Sequence, residues 1–508
     1  MTMTDRPGTI AGAATVTPDD PRYENLLDAY NHRFVARPEV IRVPTSTEQV
    51  VEAVQAAVTA GKRIVVRSGG HCFENFSALP DTQVLLDLSQ LDDISYDERL
   101  RAVSIGGGAK LGHVYRALFT RWGVTVPAGT CFEVGVGGHF SAGGYGHLSR
   151  RDGLVVDHLY AVEVVVVDDE GRAQAVVATR EPDDPHHDLW WAHTGAGGGS
   201  FGVITRYWMR SPDATSDEPE AVLPKAPARM RRRDVMWSWE TMTESALTTL
   251  IRNYCTWYER NSAPDSPYAH MWTNLIVMHR SAPMFVMTAV IDESVPGSDK
   301  LLDAQLEAMC AGSGVEPSMT VDQVMPWMSE WMPSYSWPND PKGRYKNKAA
   351  YLRRGLTDRQ LAAVWRHLTR DDYANPSACI LLTGFGGRVG AVAPDATAMP
   401  QRDSILKAMC SAGMWQDAAE DDVHIGWVRE FYRDLFAETG GVPVCDDRTD
   451  GSYIGYPDVD LADPAWNTSG VPWQELYYKG NYPRLQAVKR RYDPGDVFRH
   501  GLSVELPA

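Results

Sequence analysis

Three glycine-rich stretches within the first 205 residues constrain this chain more than any other feature. They read SGGH at 68–71, GVGGH at 135–139 followed by AGGYG at 142–146, and TGAGGGSFG at 194–202. Because glycine has no Cβ, backbone N–H groups in such loops can approach an anionic group closely. The pattern predicts loops that hold a phosphate-bearing ligand.

The third stretch has glycines at the G-x-G-x-x-G spacing, at positions 197, 199 and 202. It follows a helix-like segment at 188–192 and precedes a strand-like segment at 203–209. A Rossmann fingerprint requires the strand first and the helix second, so we reject that interpretation. The sequence has no G-x-x-x-x-G-K-[ST] motif, and a nucleoside triphosphate hydrolase is therefore not indicated.

The first 212 residues alternate helix and strand patterns. Residues 45–66 are predicted as a helix followed by a buried strand. Thr45 and Glu48 form the capping box of the helix, Gly61 ends it, and the strand begins at Arg63. Further strands are predicted at 84–88, 101–105 and 160–167, and a helix at 111–119. This density of strands indicates an α/β or α+β fold.

The composition changes after residue 212. The following region is rich in Trp, Met and acidic helices, and Pro224, Pro227 and a basic run at 229–233 are typical of a crossing segment. A chain of 508 residues can bury more than one core. We therefore predict a second domain, and we interpret the basic run as a solvated face.

Charge and hydropathy exclude two classes of partner. The formal net charge is −17, which disfavours nucleic acid because a phosphate backbone requires a basic protein face. The N-terminal residues lack a signal-peptide pattern, and the densest aliphatic run, at 162–167, is far too short to span a bilayer. We expect a soluble, cytoplasmic protein without a membrane partner.

The stretch VRSGGHCF at 66–73 sets His71 beside Cys72. The seven cysteines include no C-x-x-C pair and no Cys/His cluster at zinc spacing, so no metal site is predicted. A single loop histidine usually forms hydrogen bonds or faces solvent, and a single cysteine usually packs as a small hydrophobe. From these residues alone, a cofactor anchor and an ordinary polar turn both stay open.

The order of four motifs resembles the berberine bridge enzyme-like branch of the vanillyl alcohol oxidase flavoproteins. The motifs are RSGGH at 67–71, PAGTCFEVGVGGHFSAGGYG at 127–146, DLWWAHTGAGGGSFGVIT at 188–205, and YYKGNYPRL with DPGDVF near the C-terminus. The segments NSAPDSPY, YLRRGLTDRQ and GVPWQELYYKGN look closest to bacterial hexose oxidases of glycopeptide-antibiotic biosynthesis.

The resemblance implies an α+β, two-domain PCMH-type FAD-binding fold. Residues 1–212 and 450–508 would together form the FAD-binding domain. Residues 213–449 would form a substrate-binding domain, an antiparallel sheet backed by helices.

The resemblance also implies a covalently attached flavin. In this family the histidine of SGGH bonds to the flavin 8α-methyl group, and the cysteine of GTC bonds to ring carbon C6. Carried over, these residues are His71 and Cys131, while Cys72 keeps an ordinary role. Imidazole and thiolate are nucleophiles able to attach to an electron-poor ring. The motifs imply that FAD is also contacted by Arg67, Ser68, Gly69, Gly70, Gly137, Gly138, His139, Gly143, Gly144, Gly202, Val203, Tyr478 and Asn481.

A tyrosine base is the next implication of the resemblance. An alcohol donates hydride to a flavin only if its hydroxyl proton leaves at about the same time, which requires a general base. The family pattern assigns this role to Tyr453, with Tyr145 donating a hydrogen bond that helps the phenol ionise. Tyr456 is the reserve candidate.

Seven tryptophans lie among methionines in the predicted substrate domain. Such surfaces suit a large glycosylated ligand, because aromatic rings stack on sugar and aryl faces. Large apolar residues are nevertheless mostly buried, so we expect most of this set in the core. The set is Trp237, Trp239, Trp257, Trp272, Trp327, Trp331 and Trp337.

The resemblance favours an oxidase that converts an alcohol, expected to be a sugar hydroxyl on a glycosylated natural product, to an aldehyde, ketone or acid while O2 becomes H2O2. The same ring and base also suit oxidative cyclisation or desaturation of a polyketide or alkaloid, or a dehydrogenase that uses a carrier. A flavin-free binding protein is disfavoured because the motif residues occur together. A monomer or homodimer is expected.

Overall fold

The computed structural model describes residues 12–335 and 343–508. Its first sheet has four strands in the order β1-β2-β4-β3. The β1–β2 pair is antiparallel and the other two pairs are parallel. The strands are Ala14–Val16 (β1), Val40–Val43 (β2), Ile64–Arg67 (β3) and Val84–Asp87 (β4), accompanied by helices Tyr23–Leu27 (α1) and Thr47–Thr59 (α2).

Helix α2 connects two strands of this sheet, as the sequence pattern predicts, but its cap is shifted by one residue. Ser46 is the N-cap, and its hydroxyl accepts a hydrogen bond from the backbone N–H of Gln49. The Gln49 side chain in turn accepts from the Thr45 N–H at 2.8 Å. The predicted Thr45–Glu48 box was therefore wrong, because Ser46 rather than Thr45 adopts the extended N-cap conformation.

A second sheet of five antiparallel strands has the order β5-β6-β9-β7-β8. Its strands are Ile94–Asp97 (β5), Ala102–Gly106 (β6), Leu159–Val167 (β7), Ala173–Thr179 (β8) and Val203–Met209 (β9). The helices of this region are Leu111–Trp122 (α3), Val136–Ser141 (α4), Ser149–Asp152 (α5) and His187–Ala192 (α6). The third glycine-rich stretch runs from helix α6 to strand β9, which confirms the order that argued against a Rossmann fold.

The third sheet has seven strands, all paired antiparallel, in the order β13-β10-β12-β11-β15-β16-β14. Its strands are Arg229–Ser238 (β10), Met271–Met278 (β11), Met284–Asp292 (β12), Met319–Pro326 (β13), Arg344–Leu352 (β14), Cys379–Gly384 (β15) and Leu406–Trp415 (β16). The helices are Glu244–Asn261 (α7), Ser298–Cys310 (α8), Met332–Tyr335 (α9), Asp358–Thr369 (α10) and Asp421–Leu435 (α11). Helix α8 packs on β10 and β12, and α11 packs on β14 and β16.

The basic run at 229–233 is not a solvated face. It begins β10, which lies inside the third sheet between β12 and β13. Arg231 pairs with Glu293 at 2.9 Å and with Asp322 at 2.8 Å, and Arg233 pairs with Asp322 at 2.7 Å. Neighbouring acidic strands and turns neutralise the run, which the local sequence could not indicate.

The tryptophan prediction is confirmed for the described members of the set. Five are buried and Trp239 is partly buried, whereas Trp337 lies outside the described residues. No helix in the described parts of the chain is long and apolar enough to cross a bilayer.

The C-terminal segment, with helices Trp473–Tyr478 (α12) and Tyr482–Tyr492 (α13), packs on the third glycine-rich stretch. The Tyr478 hydroxyl donates to the Ala196 carbonyl at 2.9 Å, and Lys489 Nζ donates to the Ser200 carbonyl at 2.9 Å. The C-terminal segment therefore contacts the third glycine-rich stretch, almost 300 residues earlier in the chain.

Candidate active site

A cavity of about 400 Å³ lies where the glycine-rich stretches meet the C-terminal segment. It brings together residues from Tyr30 to His500, including eleven of the predicted site residues. Those on its wall are Ser68, Gly69, Gly70, His71, Cys131, Gly137, Gly138, His139, Tyr145, Gly202 and Tyr453.

Six predicted cofactor contacts are not on that wall: Arg67, Gly143, Gly144, Val203, Tyr478 and Asn481. Arg67 is buried and paired with Asp87 at 2.6 Å, so its guanidinium is already neutralised. Asn481 donates to the Thr397 carbonyl at 3.1 Å, and Val203 packs in a core cluster. The side chains of Arg67, Asn481 and Val203 thus have partners within the protein, and a direct contact of the six residues with the cofactor stays a prediction.

The glycine wall fits a large ligand with a flat ring and phosphates. A Cβ on Gly69 would lie 2.2 Å from the backbone nitrogen of Gly135, so only glycine lets these two loops approach each other. A Cβ on Gly138 would meet no atom within 4 Å, so the backbone there borders open space. The wall thus combines closely packed loops with bare backbone, as a cradle for FAD requires.

His71 lies in a stack of three rings that joins two parts of the fold. Its imidazole stacks on Tyr30 with the ring centroids 4.4 Å apart, and Tyr30 stacks on Tyr345 of β14 at 4.9 Å. The backbone N–H of Tyr30 also donates to the Gly70 carbonyl at 3.1 Å. These contacts fix the orientation of the His71 ring at the cavity.

Two cysteines, Cys72 and Cys131, line the cavity, and both are partly buried. Cys131 follows Gly129 and Thr130, which also lie on the wall. Burial raises the pKa of the Cys72 thiol to about 12, which keeps it protonated and a poor nucleophile. This raised pKa argues against Cys72 as an attachment residue, and the assignment of Cys131 stays a prediction.

Three tyrosines meet at one end of the cavity, but their pairing differs from the prediction. The Tyr145 hydroxyl forms a 2.6 Å hydrogen bond with the Tyr456 hydroxyl, not with Tyr453. The Tyr453 hydroxyl instead accepts a hydrogen bond of 3.2 Å from the backbone N–H of Gly144. The expected Tyr145–Tyr453 bond was wrong because Tyr456 is placed closer, through a turn in which its N–H donates to the Tyr453 carbonyl at 2.9 Å.

Lys407 is the residue of this site that the motifs did not reveal. Its Nζ lies 3.2 Å from the ring centroid of Tyr145, 3.9 Å from that of Tyr453 and 4.8 Å from that of Tyr456. The side chain is buried, and Nζ has no hydrogen-bond partner among the described residues. A single lysine within the apolar pattern of β16, LKAMCSAGMW, is the sequence signal that could have identified it.

Burial disfavours the charged forms of Tyr453, Tyr456 and Lys407. It raises the pKa of Tyr453 and of Tyr456, and it lowers the pKa of Lys407 well below its usual value. An isolated phenolate or ammonium is therefore disfavoured here. A phenolate that lies beside an ammonium group is less disfavoured, because each charge favours the ionised form of the other group.

Comparison with known protein families agrees with these features. Residues 38–174 match the family model described as FAD binding domain, and residues 452–505 match the model described as Berberine and berberine like. The two matches cover the first two glycine-rich stretches and the C-terminal segment that bears Tyr453 and Tyr456.

Relatives match along nearly the full length. The aclacinomycin-N/aclacinomycin-A oxidase of Streptomyces galilaeus is 50% identical, over 96% of this chain and 89% of the relative. The structure of CrmK, a flavoenzyme involved in shunt product recycling in caerulomycin biosynthesis, is 50% identical with a TM-score of 0.95, covering 98% and 100% of the two chains. The glycopeptide hexose oxidase DBV29, complexed with teicoplanin, is 49% identical with a TM-score of 0.93, covering 97% and 99%. The chain belongs to the berberine bridge enzyme-like family and is an FAD-linked oxidase.

Proposed function

We propose that the chain carries FAD on two covalent links, through His71 and Cys131, and oxidises a hydroxyl group of a glycosylated natural product. The observation that carries this proposal is the single cavity on which His71, Cys131 and Tyr453 all lie. An attachment pair and a candidate base thus border the same ligand space, although His71 and Tyr453 are far apart in sequence.

The names of two relatives support the class of substrate. One is an oxidase of aclacinomycins, and the other is a hexose oxidase bound to the glycopeptide teicoplanin. In the proposed reaction an alcohol carbon loses two electrons and two protons to give a carbonyl group, and O2 gains them to give H2O2. When bound, FAD accepts the electron pair from the substrate and passes it to O2.

Tyr453 is the proposed base, and its surroundings support that role. The phenol oxygen accepts the substrate hydroxyl proton in its ionised form, which the N–H of Gly144 stabilises by a hydrogen bond. Lys407 faces the Tyr453 ring and stabilises the same ionised form electrostatically. The Tyr145–Tyr456 pair borders the same space and helps to orient the substrate hydroxyl.

Oxygen consumption and H2O2 formation by the purified holoenzyme test the proposed reaction, with aclacinomycins and teicoplanin as candidate substrates. We expect one H2O2 for each carbonyl group formed. A product with a new ring or a new carbon–carbon double bond, and no new carbonyl at a sugar carbon, would replace the proposal by oxidative cyclisation or desaturation.

The attachment is tested with a matched pair of cysteine variants. Cys131→Ala should leave FAD attached through His71 alone, whereas Cys72→Ala, on the same cavity wall, should keep both links. Survival of two links in Cys131→Ala would show that the assignment of Cys131 is wrong.

A further inference from the structure

A buried ion cluster lies between strand β14 and two segments that line the cofactor cavity of about 400 Å³. It contains three basic and three acidic side chains, so its formal charges balance. All members are buried except Arg429, which is partly exposed. The members are Glu74, Lys346, Lys348, Arg429, Asp458 and Asp460.

Lys346 bridges the two segments. The anchor segment, residues 71–74, contains the proposed histidine link, and the tyrosine segment, residues 453–458, contains both candidate bases. Lys346 Nζ donates to Glu74 Oε1 and to Asp458 Oδ1, each at 2.8 Å. One ammonium group thus joins the ends of two segments that are far apart in the chain.

Aromatic rings bring the same parts of the chain together. Phe73 of the anchor segment stacks on Tyr456 of the tyrosine segment, with the ring centroids 5.1 Å apart. Tyr345, next to Lys346 on β14, stacks on Tyr30, which stacks on the His71 ring. A shift of the tyrosine segment would therefore change the position of the candidate bases relative to the flavin anchor.

Lys346 is charged in spite of its burial. Burial lowers the pKa of Lys346, but the carboxylates of Asp458, Glu74 and Asp460 outweigh this effect and raise it above its usual value. Removing one partner from a buried ion pair leaves an uncompensated charge, which is strongly unfavourable. The bridge therefore resists separation of the two segments.

The other two basic members act at the far end of the cluster. Lys348 Nζ donates to Asp460 at 3.1 Å, and Arg429 donates to both carboxylate oxygens of Asp460, at 2.9 Å and 2.7 Å. Arg429 thus belongs to the cluster but lies outside the bridge between Glu74 and Asp458.

We propose that Lys346 is a positioning residue, which holds the tyrosine segment in register with the anchor segment through its bridge to Glu74 and Asp458. The proposal rests on the proposed function, in which the anchor segment carries the flavin and the tyrosine segment carries the base. Lys346 is not among the described residues that line the cavity, so it acts through its two partners. A misplacement of about 1 Å can slow a reaction by about 100-fold.

Two methionine variants cut the bridge with opposite changes in net charge. Lys346→Met leaves the cluster with one excess negative charge, and Glu74→Met leaves it with one excess positive charge. The measurement is the rate of flavin reduction, per bound flavin and without O2, by the aclacinomycin or teicoplanin substrate that the wild-type holoenzyme oxidises. We expect both variants to be slower by roughly 10- to 100-fold. Effects in opposite directions would show that net charge sets the rate, and would overturn the proposal.

Arg429→Met is the matched control. It removes one positive charge from the same cluster, as Lys346→Met does, but leaves the bridge intact. We expect its rate of flavin reduction to stay within about two-fold of the wild-type rate. An equal loss in Arg429→Met and Lys346→Met would assign the effect to the cluster as a whole and overturn the role of the bridge.

Hydrogen exchange of the tyrosine segment, followed by mass spectrometry, is a readout that does not depend on turnover. The backbone N–H of Tyr456 donates to the Tyr453 carbonyl at 2.9 Å, and its exchange reports opening of this turn. We expect exchange at least about ten-fold faster in Lys346→Met and Glu74→Met, and unchanged in Arg429→Met. Unchanged exchange in both bridge variants, or faster exchange with unchanged flavin reduction, would overturn the proposal.

Glu74→Gln is the milder variant if either methionine variant fails to fold, because its amide oxygen still accepts a hydrogen bond from Lys346. It should show both effects at about three-fold. A folded Glu74→Gln protein with wild-type exchange and wild-type flavin reduction would contradict the proposal.

The outcomes separate this proposal from the proposed function. If exchange changes as expected but the wild-type protein oxidises no alcohol, the bridge holds the tyrosine segment and the proposed function fails. If the wild-type protein oxidises an alcohol and neither bridge variant alters exchange or flavin reduction, the proposed function stands and the role of Lys346 fails.

Discussion

The Nζ atom of Lys407 lies 3.2 Å from the ring centroid of Tyr145, one of the tyrosines that line the cofactor cavity. This lysine is buried, faces three tyrosine rings and has no hydrogen-bond partner within the described ranges. Its contribution to the site is therefore electrostatic: it favours whichever phenol carries a negative charge.

Replacing Lys407 by Met should slow turnover by roughly 30-fold, the equivalent of a desolvated cation–π contact of about 2 kcal/mol. The pH dependence of kcat/KM tests the direction of this effect. An ammonium group lowers the pKa of a neighbouring phenol, so its loss should move the rising limb of kcat/KM to higher pH. An unshifted limb would mean that Lys407 does not act on the base.

Tyr453→Phe and Tyr456→Phe distinguish the two candidate bases. We expect Tyr453→Phe to lower kcat by roughly 100- to 10,000-fold, the range for loss of a general base, with FAD still bound. Tyr456→Phe removes only the bond to Tyr145 and should cost about ten-fold. The reverse order of the two effects would assign the proton transfer to Tyr456.

Tyr30 should control the attachment of His71, because the two rings stack. In a Cys131→Ala background, where His71 is the proposed remaining link, Tyr30→Leu should slow covalent incorporation of FAD and Tyr30→Phe should not. The measurement is flavin fluorescence of the denatured protein over time after addition of FAD to apoprotein. Equal rates of FAD incorporation in Tyr30→Leu and Tyr30→Phe would show that the stacking of Tyr30 on His71 does not affect flavin attachment.

Arg67 should prove structural, contrary to its sequence assignment. Arg67→Met leaves Asp87 buried without its partner and should lower the free energy of unfolding by roughly 3–5 kcal/mol. The FAD content of the folded variant should stay at the wild-type level. A stable variant that fails to bind FAD would instead support the predicted contact between Arg67 and the cofactor.

Acid pH should destabilise the fold through buried histidines. Burial lowers the pKa of His193 from 6.5 to about 4, and the unfolded chain therefore takes up this proton first as the pH falls. His193 thus contributes stability above pH 6.5 that is lost between pH 6.5 and about 4, at up to roughly 1.4 kcal/mol per pH unit. Denaturant unfolding of His193→Gln should show a correspondingly shallower loss over this window.

The fold class was predictable because local patterns and the order of the motifs both indicate it. Alternating patterns and glycine-rich loops indicated the strands and the cofactor loops, and the motif order indicated the architecture. The prediction for the basic run at 229–233 was wrong because it depends on partners that are distant in sequence. The arginines of this run lie in an interior strand, where they pair with Glu293 and Asp322.

Motifs indicated the candidate site residues, whereas a single residue outside a motif could not be identified from the sequence. His71, Cys131 and Tyr453 lie within recognisable motifs, and the structure places all three on one cavity, while their chemical roles stay predictions. Lys407 lies in no motif, and its significance comes from burial without a hydrogen-bond partner among the described residues, which only the folded chain reveals.

Peptide mass mapping of the acid-precipitated protein is the most direct test of the central claim. The yellow colour should stay in the pellet, and after proteolysis we expect one FAD that bridges the peptide containing His71 and the peptide containing Cys131. Release of the flavin into the supernatant, or its attachment to a peptide that contains neither residue, would show that the proposed double attachment is wrong.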